Sequence, residues 1–344
     1  MTEIKDQVGT MLGLIAGYVG HRTVAIGLRS GLVASLAADG PADPDTLADR
    51  TQLDPFYVFA WCRAAYGAGV CDRGDDGDGD GDVYCLAPHL ETVLLDTGSP
   101  AYVGGVFGVL EQPEMFTRFE ASLASGERLW WDGCAPEFIT AVGGTGRPFY
   151  RRLVPDGLSR VPGLAERLEG GCRVLDTACG SGQGLVLLAN AYPACTVSGV
   201  DGDEHSVEQA RATLAAAGLA NRVRVWHSPL EKLTVDEPYD LIVNNISMHE
   251  CRDIDQVTRN VRAALAPDGW FVISDFPFPD DDDGLRTVPG RVMSGIQFFE
   301  AQIDDQLLPR RAYDELLHRH GFANLGFASL TPMHAITWGR VVSA

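Results

Sequence analysis

The stretch Val174-Leu175-Asp176-Thr177-Ala178-Cys179-Gly180-Ser181-Gly182-Gln183-Gly184 decides how the chain is read. An apolar run ends in an acidic residue and opens into a glycine-rich turn ahead of a helical pattern. Glycine lets the backbone adopt positive φ and come close to a ligand. A helix that begins there aims its first N–H groups at whatever lies in front of it, which suits an anion. The dinucleotide fingerprint GxGxxG is not met, because Leu185 stands where the third glycine belongs.

Outward from this turn, strands and helices alternate. RVLDTA, TVSGVD, RVRVWH, YDLIVNN and WFVISDF read as buried strands. DEHSVEQARATLAAAG and DIDQVTRNVRAALAPDG between them carry helical periodicity. GFANLGFASL and HAITWGRV read as two more strands joined by a proline turn. The pattern predicts an α/β fold with a Rossmann-like core.

The run Asp176-x-Ala178-x-Gly180-x-Gly182 resembles motif I of the class I S-adenosylmethionine-dependent methyltransferases, with Ala178 in place of the first glycine. Other segments fall where that family has its landmarks. Gly199-Val200-Asp201 ends the second strand, where a carboxylate accepts from both ribose hydroxyls, and Gly202 follows. His227-Ser228-Pro229-Leu230 ends the third strand, at the family's adenine contact, and Tyr239–Asn245 leads to the loop below the sulfonium. Pro267-Asp268-Gly269 resembles the family's turn before a strand. The resemblance is tight from Cys172 to about Phe276. It implies a seven-stranded core and S-adenosyl-L-methionine (SAM) as cofactor. The implied cofactor-binding residues are Asp176, Ala178, Gly180, Gly182, Asp201, Gly202, Ser228, Pro229, Leu230, Asn244 and Asn245.

The front of the chain reads differently. A helical pattern from Thr23, a short helix from Asp43 and a third from Asp54 precede two short strands, VCDRG and VYCLAP. Three helices and a hairpin give the winged-helix order. Asp54 is a natural N-cap and Pro55 suits the first helical position. We therefore expect a winged-helix-like domain over 1–98, a helical linker covering the substrate pocket over 99–170, and the Rossmann-like SAM-binding domain over 171–344. The combination resembles multidomain small-molecule methyltransferases of natural-product pathways, some acting on oxygen and some on the β-carbon of α-keto acids. In that family the front domain serves dimerisation and helps to wall the pocket. Met11, Leu12, Leu14, Ile15, Phe56, Phe59 and Trp61 are expected to contribute to a homodimer.

Methyl transfer needs an acceptor in line with the methyl group and usually a base. Ile246-Ser247-Met248-His249-Glu250 follows the fourth strand. His249 stands about where the O-methyltransferases carry a His-Asp pair, with Glu250 in the Asp position, so both are catalytic candidates. The plain alternative is that His249 packs on the cofactor or binds a backbone carbonyl. Trp130, Trp131, Tyr150, Met248 and Glu300 are candidates for the substrate pocket. Aromatic faces can hold an apolar substrate or meet the sulfonium. In the keto-acid enzymes a second histidine after the fifth strand joins the first to hold iron. Here Met293–Ala301 offers Glu300 but no histidine. A His249/Glu300 site is possible in principle, since imidazole plus carboxylate suits several metals. Two ligands are weak ground, and no metal is expected.

The chain has 344 residues and a formal net charge of -20, which argues against a nucleic-acid partner. The Asp76–Asp82 run mimics the start of an EF-hand, but its twelfth position is Ala87 and helices do not flank it; it reads as a wing tip. An acidic wing would be repelled by phosphates, which disfavours a DNA-reading regulator. Eight cysteines without a CxxC pair exclude a zinc ribbon and suggest reduced thiols in a cytoplasmic protein. No signal peptide is read, and glycines and polar residues interrupt the apolar N-terminus, so no membrane span is expected. The expected function is SAM-dependent methylation of O, C or N of a small metabolite. A ligand-sensing regulator, or another reaction on the same scaffold, stays open.

Overall fold

A computed structural model of the chain describes residues 3–74 and 82–342. Most of the acidic run, residues 75–81, lies outside them, so the wing-tip reading is left as an expectation. The chain divides into two compact units, Met1–Glu111 and Gln112–Ala344. Glu111, at the end of the first unit, pairs with His21, Arg22 and Arg29 of the first helix.

The first unit holds α1 (Ile4–Arg29), α2 (Leu32–Asp39), α3 (Pro44–Thr51), α4 (Pro55–Gly67) and the antiparallel pair β1 (Cys71–Arg73) and β2 (Tyr84–Leu86). The helical pattern from Thr23 is two helices, not one: Gly31 takes φ +80° and turns the chain between α1 and α2. Asp54 caps α4 as expected, accepting from the N–H groups of Phe56 and Tyr57. Val33, Leu47, Cys62 and Tyr84 fill the core. Trp61 belongs to this core rather than to an outer face, and its indole N–H donates to the Thr23 carbonyl at 2.9 Å. The front half of α1 exposes Ile4, Val8, Met11, Leu12, Ile15 and Tyr18. By length and composition alone, α1 is long and apolar enough to cross a membrane.

The second unit is built on a seven-stranded sheet in the order β5-β4-β3-β6-β7-β9-β8. Its strands are β3 (Arg173–Thr177), β4 (Thr196–Asp201), β5 (Arg224–His227), β6 (Tyr239–Asn245), β7 (Leu265–Asp275), β8 (Ala323–Thr331) and β9 (His334–Arg340). β3 to β7 run parallel, and β9 is antiparallel to both β7 and β8. β3 and β4 are nearly continuous buried runs, because side chains cover both faces of the sheet. Val174, Val197, Leu241 and Val243 enter one core cluster, and their neighbours Leu175, Val200 and Ile242 the other. Pro267-Asp268-Gly269 lies inside β7, not before it: Asp268 takes φ +63° and the β6–β7 register shifts between Tyr239 and Leu241.

Strand order sets where a ligand can bind. From β3 the chain moves outward to β4 and β5; from β6 it moves the other way to β7. The β3 and β6 carboxyl ends are therefore neighbours whose connections diverge, and such a switch point opens a crevice.

Candidate active site

The first half of the site is the turn after β3. Asp176 is fully buried, and the Tyr150 hydroxyl donates to its Oδ2 at 2.9 Å. Burial pushes the Asp176 carboxyl up to about 8. Ala178 adopts φ +63°, a left-handed conformation that costs an L-residue about 1 kcal/mol, so the alanine is accommodated with strain. Gly182 is also left-handed, and a Cβ there would lie 2.9 Å from Ala210 Cα. A Cβ on Gly184 would lie 2.1 Å from the Tyr150 ring. The glycine after the turn thus lets Tyr150 close over the helix start and reach Asp176. At the end of β4, Asp201 accepts from the Gly180 N–H at 2.8 Å and from the Asp203 N–H at 2.9 Å. Burial raises its carboxyl to about 6 against the pull of those two bonds.

The second half follows β6. Ile246 takes φ +56° and redirects the chain into Ser247-Met248-His249-Glu250. His249 is buried, and its Nδ1 lies 2.7 Å from Oδ2 of Asp275, the last residue of β7. Asp275 is held in turn by the Tyr313 hydroxyl and the Phe276 N–H. Among the described residues His249 Nε2 has no hydrogen-bond partner, while Glu300 Oε1 lies 3.7 Å and Glu250 Oε1 3.9 Å away. Burial lowers the basicity of His249, but the Asp275 and Glu300 carboxylates outweigh it and hold the ring well above the ordinary histidine range. Burial, with repulsion from Glu300, raises the Glu250 carboxyl well above its usual range. A pocket of about 490 Å³ opens on His249, with Cys251, Arg252, Arg128 and Asp305 in its lining. Beside it, Phe299 packs against Trp131 at 5.1 Å and Phe138 at 4.8 Å between ring centroids.

Comparison with known proteins bears on this crevice. The family model described as a methyltransferase domain matches residues 168–306. The match spans the turn after β3 and the segment after β6. The trans-aconitate 2-methyltransferase of Variovorax paradoxus is 33% identical over 117 residues, covering 34% of this chain and 41% of that protein. The chain spans only 36–41% of the length of the first curated relatives it matches. Among solved structures, an O-methyltransferase family protein from Burkholderia thailandensis superposes with a TM-score of 0.72 at 18% identity, covering 100% of this chain and 99% of the other. Human N-acetylserotonin methyltransferase, in complex with SAM, superposes with 0.73 at 15% identity and covers 100% of both chains. At these identities the likeness establishes the class I methyltransferase fold.

The expected residues separate by what they touch. Asp176, Ala178, Gly180, Gly182 and Asp201 come together at the turn. Gly202 and Pro229 are adjacent, a Cβ on Gly202 lying 3.7 Å from Pro229 Cα, and the Ser228 N–H donates to the Asp201 carbonyl. Leu230 and Met248 are core residues, in one cluster with Leu175, Val257 and Phe271. Asn244 and Asn245 are buried pins between strands: the Asn244 amide faces Thr177, and Asn245 Oδ1 accepts from the Ser274 hydroxyl. Tyr150, expected in the substrate pocket, serves the turn through Asp176. Trp131 joins the aromatic wall, and Trp130 lies 4.4 Å beneath the Arg252 guanidinium. Glu300 and Glu250 converge on His249. Asp275 and Tyr313 were not anticipated. Asp275 had a signal, since it ends a buried strand in WFVISDF as Asp176 and Asp201 end theirs; Tyr313, on the later helix Arg310–Arg319, had none.

Proposed function

We propose that the chain is a SAM-dependent methyltransferase acting on O, C or N of a small metabolite, in secondary metabolism. The observation that carries this reading is the pairing, at one switch point, of the Asp201-braced glycine turn with a buried His249–Asp275 dyad. Asp201 would hold the cofactor's ribose hydroxyls, and Asp176 with Tyr150 the region of its methionine part. The aromatic wall of Trp131, Phe138 and Phe299 would hold an apolar part of the acceptor.

The acceptor attacks the sulfonium methyl in line. The bond from acceptor to carbon forms as the carbon–sulfur bond breaks, and the electron pair returns to sulfur, leaving a neutral thioether. The proton lost by the acceptor would pass to His249 Nε2 once the ring is neutral, a state that the Asp275 and Glu300 carboxylates shift to higher pH. Asp275 supports this transfer by orienting the ring and strengthening it as a base. We further propose that the protein is a cytoplasmic homodimer joined through the exposed face of α1, and that neither nucleic acid nor membrane is its partner. Light scattering that finds a monomer at micromolar concentration would remove the dimer.

The deciding experiment is a transfer assay with methyl-labelled SAM against hydroxylated, amino and keto-acid metabolites, alongside calorimetry with the demethylated cofactor. We expect cofactor binding and a labelled product. Absence of cofactor binding by the folded protein overturns the reading.

A further inference from the structure

A histidine acting as a base needs one carboxylate to orient it, and Asp275 already does so. Yet two more carboxylates face the other nitrogen of His249. Glu300 is as deeply buried as the histidine, and among the described residues neither its Oε2 nor His249 Nε2 has a hydrogen-bond partner. One donor atom each from His249, Glu250 and Glu300 fall within 4.8 Å of one another. Two carboxylates turned toward one imidazole nitrogen call for a positive partner, which either the protonated ring or a bound cation supplies.

We propose that His249 Nε2, Glu250 and Glu300 bind a divalent transition-metal ion at the inner end of the pocket. Donors bound to one ion at about 2.1 Å stand roughly 3–4 Å apart, and Glu300 and Glu250 already lie 3.7 and 3.9 Å from Nε2. The Nδ1 contact with Asp275 leaves Nε2 as the metal-binding nitrogen and supplies the carboxylate–histidine–metal arrangement that stiffens such sites. One imidazole with two carboxylates suits manganese, iron(II), cobalt(II) or zinc better than copper(I), which prefers soft sulfur ligands. The pocket lined by His249 gives the ion a path in and its remaining positions an exit toward an acceptor.

The inference rests on the methyltransferase reading for what the ion does and changes one step of it. With the ion bound, Nε2 is a ligand. An acceptor oxygen on the metal would lose its proton to solvent because the cation lowers its pKa. The metal would then activate the acceptor in place of the imidazole.

The test uses the full chain stripped with chelator and titrated with Mn(II), Co(II) or Zn(II) alone, by calorimetry and by metal analysis after dialysis. At least one of these ions should be retained at one equivalent per chain. Glu300→Gln, Glu250→Gln and His249→Ala should each weaken it by at least about tenfold, and Asp275→Asn by roughly 10- to 100-fold. Affinity for the demethylated cofactor, measured on the same samples, reports folding and should stay within about twofold for Glu300→Gln. No saturable binding of any of the three ions, or binding that Glu300→Gln leaves unchanged, overturns the proposal. Metal binding without cofactor binding would keep this site and sink the methyltransferase reading; cofactor binding without metal does the reverse.

Discussion

The two halves of the crevice are built by different means. The turn after β3 is largely backbone: left-handed residues at 178, 180 and 182, and an Asp201 carboxylate gripping the Gly180 N–H. The centre after β6 is mostly side chain, and its parts come from residues 249–250, 275, 300 and 313. A backbone cradle must be written in consecutive residues, because only local sequence controls φ and ψ. A side-chain centre has no such requirement. The first can therefore be recognised from its spelling, while the second emerges only when β7 and the helix Val288–Glu300 are brought up to β6.

If the halves are separable, His249→Ala should lower the methyl-transfer rate by roughly 10²–10⁴ and leave cofactor affinity nearly intact. Single-turnover rates and calorimetry on the same preparation check it. A parallel loss of cofactor affinity would break the division, and a rate within a few-fold of the parent would return His249 to simple packing.

Asp201→Ala probes the other half. Loss of a charged acceptor for the ribose hydroxyls, about 1.5–3 kcal/mol, should weaken cofactor binding roughly 10- to 150-fold. Unchanged affinity removes Asp201 from the cofactor site. The same residue predicts a pH dependence. Its carboxyl, raised to about 6, accepts from ribose hydroxyls best when ionised. Cofactor affinity should therefore fall as pH drops, by about tenfold between pH 7 and pH 5. A flat profile in the parent, matching that of Asp201→Ala, would show that another group carries the contact.

Asp176 predicts the opposite trend in the stability of the empty protein. Its folded value of about 8 lies above the unfolded value of 3.8. The folded chain then binds more protons across that window, and the contribution is full below the unfolded value and lost as pH rises through about 8. Asp176→Asn carries no charge to bury, so its melting temperature should gain on the parent steadily from pH 5 to pH 8. A constant difference would mean that Asp176 does not titrate there. The smallest effect is expected for Tyr150→Phe, which removes one buried hydrogen bond and should cost about 1 kcal/mol, or about 2–4 °C.

The sequence by itself determined the sheet and the turn. Apolar runs ending in Asp176 and Asp201 could only be strands covered on both faces, and the glycines after Asp176 could only be a tight turn. It also marked His249 as a reactive candidate by its place after a strand. It assigned Leu230, Asn244 and Asn245 to the cofactor and Met248 to the substrate pocket, although a residue at a strand end can face ligand, core or neighbouring strand with the same spelling; packing places Leu230 and Met248 in the core and gives the asparagines hydrogen bonds between strands. The break at Gly31, the bulge at Asp268 and the inclusion of Glu111 in the front unit were likewise decided by tertiary contacts and backbone geometry. Above all, no local pattern ties Glu300, on a helix, to Asp275, on a strand. Their meeting at His249 depends on distances between elements that only the folded chain sets, and that is where the chemistry of this site was decided.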